Sequence, residues 1–320
     1  MKHLLAVAQL DREDIERIME RAESFAEVGR RDIKKVPTLR GRTIVNLFYE
    51  ASTRTSSSFE LAAKRLSADV VSIKAPGSAV DKGESLKDTV ATLSAYDPAA
   101  IVIRSPFAGA AQLVARLTDA SVINAGDGKH EHPSQALLDV YTLRRRLGSL
   151  DGRRIWIVGD VLHSRVARSG VLAFGAMGAE VTVCGPPTLI PRDFEELGCR
   201  VAYDLDGLEH ADVVYALRMQ RERMSESFIP SVREYAARYQ IDARRLAPRQ
   251  LLMHPGPVNR GIELAPEVID SPKSLITAQV ESGLVVRMAI LYELLAGTER
   301  PRAGAPGIGI AEPSPIGEPA

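Results

Sequence analysis

The sequence predicts an α/β fold of two doubly wound parallel-sheet domains, and three observations predict it. Short apolar β-type runs alternate with amphipathic helical segments, a rhythm that calls for parallel strands with helices on both faces. The rhythm runs from Thr43 to about Leu147 and starts afresh at Arg153. Polar and cationic residues collect just after the strands, where open parallel sheets bind ligands. At 320 residues the chain has room for two domains of about 150 residues each.

Asp11 and Asp14 open a first helix, with Ile15, Ile18, Met19 and Ala22 on one face. Residues 37–42 lead into a strand over 43–49. The segment Glu50-Ala51-Ser52-Thr53-Arg54-Thr55-Ser56-Ser57-Ser58 lies between that strand and an amphipathic helix over 59–66. A short apolar run at 70–73 precedes the loop 74–83, which has little apolar material to hold it and reads as a mobile lid. Helix is expected over 84–93, a buried strand over 99–103 ending in Arg104, and helix over 108–117. A strand at 122–124 gives way to the loop 125–133 and a helix over 134–147. The second set has strands at 153–158, 180–183, 212–216 and 251–253, a helix over 164–174, and a long closing helix over 278–295. The border falls near the 134–147 helix, giving domains over 1–145 and 146–277, the first completed by helix 278–296. The tail 300–320 is rich in Pro, Gly and Ala without apolar periodicity and reads as disordered.

Lys plus Arg equals Asp plus Glu at 41 each, so net charge points to neither nucleic acid nor membrane, and any basic site is local. Cys184 and Cys199 are too few for a disulfide framework or a four-thiolate metal site and suit a reducing cytosol. The apolar run over 4–8 is shorter than a signal-peptide core, and no segment reaches membrane-spanning length. The expected location is the cytoplasm.

The run from Ser52 to Thr55 sits where a strand hands over to a helix. Unpaired N–H groups at a helix start favour anions, and hydroxyls plus one guanidinium complete an anion pocket, for which phosphate is the natural guest. Ser and Thr also cap helices; Arg54 inside the run, and a second basic loop downstream, favour the pocket. The strand-end residues Arg54, Lys82, Arg104, His132, Arg165 and Arg218, with Ser52, Thr53, Thr55 and Gln135 among them, form a mostly cationic set. Arginine forks bind phosphate and carboxylate bidentately, so such a site suits substrates carrying several negative charges. A Gly-rich Walker loop, a dinucleotide fingerprint, a serine elbow and a histidine-pair zinc motif are all missing. His130, Glu131 and His132 lack a partner cluster for a metal. The expected chemistry uses no metal, no cofactor and no covalent intermediate, and works by positioning and electrostatic stabilisation.

Ser52-Thr53-Arg54-Thr55 after a strand, His132-Pro133-Ser134-Gln135 and His254-Pro255-Gly256-Pro257, in this order and spacing, resemble the transcarbamoylase family, and within it the catalytic chains of aspartate carbamoyltransferases. The resemblance runs from about Lys2 to Leu295. It implies a carbamoyl-phosphate domain and an aspartate domain joined by interdomain helices, and transfer of a carbamoyl group to aspartate early in pyrimidine synthesis. It further implies that Ser52, Thr53, Arg54 and Thr55 hold the phosphate of carbamoyl phosphate, and that Thr55, Arg104 and His132 polarise the carbamoyl oxygen. Gln135 and the backbone at Gly256 and Pro257 would accept from the carbamoyl NH₂, and Arg165, Arg218 and Gln220 would grip the carboxylates of aspartate. Ser78 and Lys82 match a loop that enters a neighbouring subunit's site, which implies a homotrimer. A regulatory chain or a dihydroorotase as further partner is left open. Ser56, Ser134 and Gly256 depart from residues common in the family (Arg, Thr and Leu), and Gly256 puts the carbonyl contact there in question. An ornithine-type enzyme is the nearest rival, but it carries a His-Cys-Leu-Pro segment and binds a cationic side chain. A non-catalytic scaffold is the other, and it should have lost the cationic residues kept here.

Overall fold

The computed structural model describes residues 1–74, 83–220 and 228–296. Ser78, Lys82, the proposed lid around them and the tail 300–320 lie outside these residues. The first half begins with α1 (Arg12–Gly29), whose N-cap Asp11 accepts from the Asp14 N–H at 2.8 Å. Four strands follow, β1 (Thr43–Phe48), β2 (Asp69–Lys74), β3 (Ala100–Ser105) and β4 (Ser121–Asp127). Their order in the sheet is β2-β1-β3-β4, and every pairing is parallel. The helices between them are α2 (Thr53–Arg65), α3 (Leu86–Ser94) and α4 (Ala110–Leu117), and α5 (Pro133–Leu147) leaves the sheet. Strand β1 shows why both faces are covered. Ile44 and Phe48 join the core that includes Phe59 and Ala62 of α2, whereas Val45 and Leu47 face Val90, Leu93 and Val114 of α3 and α4.

The second half repeats the plan. Strands β5 (Arg154–Val158), β6 (Glu180–Cys184), β7 (Arg200–Ala202), β8 (Val213–Ala216) and β9 (Leu251–Met253) stand in the order β7-β6-β5-β8-β9, again all parallel. Along β5, Ile155 and Ile157 pack with Phe174 of α6 (Arg165–Ala176), and Trp156 and Val158 pack with Tyr235 and Tyr239 of α7 (Val232–Tyr239). A short α8 (Pro266–Ile269) precedes the closing α9 (Ile276–Leu295).

Helix α9 packs against α1, α2 and α5, back on the first half. It is apolar nearly all round, as a helix enclosed on every side must be, with Val286, Ala289, Ile290, Leu291 and Leu294 fully buried. One continuous core therefore runs from the first sheet through α5 and α9 to the second sheet. Both cysteines are buried and free. Among the described residues no helix is long and apolar enough to cross a membrane.

Two expectations change. The first-half helix begins at Thr53 rather than Phe59, because the hydroxyl-rich run is itself the first turn. Strand β7 and helix α7 had no clear sequence signal: β7 is three residues long and half-exposed, and α7 follows a polar stretch.

Replacing Ile290 of α9, wholly buried, by alanine should cost about 2–5 kcal/mol. A denaturation midpoint equal to that of the parent protein would show that α9 does not carry the shared core.

Candidate active site

The carboxyl ends of both sheets open on one cavity of about 840 Å³. Strand β1 ends at Phe48, and α2 starts five residues later at the cavity wall. Ser52 is the N-cap residue, yet its hydroxyl makes no capping bond. It lines the cavity beside Thr53, Arg54 and the buried Thr55. Capping therefore does not explain this serine.

The 254–257 segment follows β9 and forms the facing wall. His254 is fully buried; its Nδ1 accepts from the Gly256 N–H at 2.8 Å, so Nε2 carries the proton and donates to Glu263 at 3.2 Å. Gly256 has φ +64°, and a Cβ there would lie 2.6 Å from the Arg54 guanidinium carbon. A side chain at this position would be strained and would push Arg54 away.

Arg104 lies near the end of β3. It donates from Nε to Glu50 at 3.2 Å and from Nη1 to the Ala125 carbonyl at 3.5 Å. Arg165 opens α6 after the cap Ser164 and pairs with the same Glu50 oxygen. Glu50 thus joins an arginine of the first half to one of the second. Arg218 and Gln220 follow β8 and line the cavity. The Gln220 amide donates to the His163 carbonyl at 2.9 Å, and its backbone N–H donates to Asp160 at 3.2 Å.

His132 stands at the start of α5, where its backbone N–H donates to Ser169 Oγ at 2.8 Å. The loop before it is braced by Asp127, which accepts from Asn124 Nδ2 and the Gly109 N–H at 2.8 Å each and from the Glu131 N–H at 3.1 Å. His130 turns its ring to Asp127, at 3.1 Å, instead of toward His132. Burial first, then the charges of Arg104, Arg165 and Arg287, hold His132 well below the usual imidazole range. It is neutral at neutral pH. Gln135 lies one turn along α5 and donates from Nε2 to Asp139 at 3.1 Å. Burial pushes the Asp139 carboxyl up to about 7, against the hydrogen bonds from Gln279, Tyr215 and Gln135 and the charge of Arg287.

Of the residues singled out in the sequence, Ser52, Thr53, Arg54, Thr55, Arg104, His132, Gln135, Arg165, Arg218, Gln220, Gly256 and Pro257 all line this one cavity. Ser78 and Lys82 lie outside the described residues. Lining residues that were not singled out include Glu50, Gln279 and Arg287. Glu50 stands two residues before Ser52, and Arg287 is a lone charge inside the apolar stretch of α9, signals that were available; Gln279 gave none.

Two family models cover nearly the whole chain: aspartate/ornithine carbamoyltransferase, carbamoyl-P binding domain, over residues 2–145, and the Asp/Orn binding domain over residues 151–294. The chain belongs to the aspartate/ornithine carbamoyltransferase family. The aspartate carbamoyltransferase catalytic subunit of Acidothermus cellulolyticus is 57% identical, covering 95% of each chain. That of Salinispora arenicola is 56% identical over 94% of this chain and 100% of its own. Among solved carbamoyltransferase structures, aspartate transcarbamoylase from Trypanosoma cruzi in complex with carbamoyl phosphate and aspartate superposes with a TM-score of 0.82 at 31% identity, covering 92% of this chain and 97% of that one. The catalytic subunit of M. jannaschii aspartate transcarbamoylase gives 0.81 at 35% identity, covering 92% and 98%.

The depressed His132 has a consequence for stability. Unfolded, its imidazole titrates near 6.5; folded, it stays neutral well below that. The unfolded chain therefore takes up more protons as pH falls, and the contribution is full above about 6.5 and lost as pH falls below it, by up to about 1.4 kcal/mol per pH unit. Asp139, raised when folded, has the opposite sign but is common to both proteins compared. Between about pH 7 and pH 5.5, parent stability should fall more steeply than that of His132→Gln. Equal slopes in urea melts would contradict the assignment.

Proposed function

We propose that this chain transfers the carbamoyl group of carbamoyl phosphate to the α-amino group of L-aspartate, giving N-carbamoyl-L-aspartate and phosphate, an early step of de novo pyrimidine synthesis. The observation that carries this reading is the convergence of Arg54, Arg104, Arg165 and Arg218, from both sheets, on one cavity. Four guanidinium groups suit two polyanionic substrates bound side by side. The names of its relatives and of the solved structures support the same reaction.

Ser52, Thr53, Arg54 and Thr55 hold the phosphate at the start of α2, where backbone N–H groups and the helix dipole add to the guanidinium. Thr55, Arg104 and His132 act on the carbamoyl oxygen, His132 as a neutral N–H donor. The Oε1 of Gln135 and the backbone at Gly256 and Pro257 accept from the carbamoyl NH₂. Arg165, Arg218 and Gln220 bind the two carboxylates of aspartate. The neutral α-amine attacks the carbamoyl carbon as charge gathers on the oxygen. The C–N bond forms, the C–O bond to phosphate breaks, and the leaving phosphate takes the amine proton. Residues 1–145 with helix 278–296 form the carbamoyl-phosphate domain, and 146–277 the aspartate domain. Lys82 and Ser78 come from a neighbouring subunit of a cytoplasmic homotrimer.

Aspartate is favoured over ornithine because Arg218 would meet a cationic side chain with like charge. Turnover with carbamoyl phosphate and aspartate, none with ornithine, and tight binding of N-(phosphonacetyl)-L-aspartate are the expected results; failure to bind that compound would falsify the proposal. Arg104→Ala should lower kcat about 10²–10³-fold in a folded protein, as loss of one oxyanion donor does. An unchanged kcat would remove Arg104 from the reaction. Mixing inactive Lys82→Ala chains with inactive Arg54→Ala chains should restore activity in hybrid trimers; silent hybrids of confirmed composition would argue against shared sites.

A further inference from the structure

Gln135 presents an amide to the cavity, and the two ends of an amide are chemically opposite. One accepts and the other donates. What selects between them lies one helical turn along α5. Asp139, wholly buried, accepts from Gln135 Nε2 at 3.1 Å. The NH₂ end is thereby turned to Asp139, which leaves Oε1 as the end for the cavity.

The same Asp139 oxygen, Oδ1, accepts from Gln279 Nε2 on α9 at 2.7 Å, and Oδ2 accepts from the Tyr215 hydroxyl on β8 at 2.7 Å. Gln279 is oriented in turn: with its NH₂ committed to Asp139, its Oε1 accepts the His254 backbone N–H at 3.0 Å. His254 then accepts the Gly256 N–H through Nδ1 at 2.8 Å. One carboxylate is thus linked to two parts of the cavity lining, Gln135 directly and the 254–257 main chain through Gln279 and His254. All three partners donate to Asp139, so each of the two glutamines turns its NH₂ end toward it.

We propose that Asp139 is a positioning residue for carbamoyl transfer: it fixes the Gln135 carbonyl, and through Gln279 the 254–257 segment, as the acceptors that hold the NH₂ of carbamoyl phosphate. The inference rests on the reaction proposed above. Asp139 itself does not line the cavity, so its effect passes entirely through these partners.

The test is a set of Asp139→Ala, Asp139→Asn and Gln135→Ala enzymes with the Asp139→Ala/Gln135→Ala double variant, assayed with carbamoyl phosphate and aspartate well below their unfolding temperatures. Asp139→Ala should lower kcat/KM for carbamoyl phosphate by about 10–100-fold, the scale on which groups orienting a direct contact act. The KM for aspartate should stay near that of the parent. Asp139→Asn should recover most of the activity, because its Oδ1 still accepts both glutamine amides and its NH₂ can donate to the Tyr215 oxygen. The double variant should lose less than the product of the single losses, since both act on one contact. Should Asp139→Ala not fold, Asp139→Ser takes its place, its hydroxyl being too short to accept from both amides. Tyr215→Phe removes the third donor and should lower the melting temperature while leaving kcat/KM unchanged, a separation that a purely structural carboxylate would not give. Losses that multiply, an unaltered kcat/KM in Asp139→Ala, or an Asp139→Asn enzyme as impaired as the alanine variant would each overturn the proposal. A parent protein inactive with both substrates would instead refute the reaction and leave the role of Asp139 in the fold untouched.

Discussion

The site depends on a single carboxylate set among arginines. Arg54, Arg104, Arg165, Arg218 and Arg287 line one cavity, and among its described residues Glu50 is the one carboxylate. Like charges in a partly enclosed cleft repel more strongly than they would in water. Glu50 offsets part of this by accepting from Arg104 at 3.2 Å and pairing with Arg165. Because Arg104 lies near the end of β3 and Arg165 opens α6, the same carboxylate also spans the two halves. Five arginines against one carboxylate leave the cavity lining with an excess of positive charge, which attracts anions.

Around that cluster the protein controls polarity by burial. Burial, and then the three arginines around it, keep His132 neutral. A neutral imidazole adds a donor without adding to the repulsion. The loop that delivers it is held by Asp127, whose carboxylate takes donors from β4, the α4 cap and the loop itself. Behind the cavity, Asp139 gathers donors from α5, α9 and β8 into one buried knot. The apolar core carries the load of holding the halves together, and these carboxylates set the directions of the polar groups within it.

Much of this was legible in the chain. The strands at 43–49, 99–103 and 153–158 are continuous apolar runs because both faces of a parallel sheet are covered, and the observed β1, β3 and β5 fall on them. The motif residues sit at strand ends and helix starts, positions fixed by local sequence. β7 was missed because a three-residue edge strand has no period to detect. By sequence, residues 53–58 read as lead-in to the helix because Ser and Thr are modest helix formers. Here they form its first turn, with Ser58 donating back to the Arg54 and Thr55 carbonyls.

The sequence by itself determined the two sheets, the basic character of their carboxyl ends and the identity of the residues gathered there, since each follows from local patterning and motif spacing. Only the tertiary structure decided that Glu50 stands between Arg104 and Arg165, that Gly256 makes room for Arg54, and that Gln135 donates to Asp139. Those outcomes join residues up to 202 positions apart in number, 54 and 256, and depend on how α5 and α9 seat one sheet against the other. No local pattern encodes such a distance; burial and hydrogen-bond geometry do.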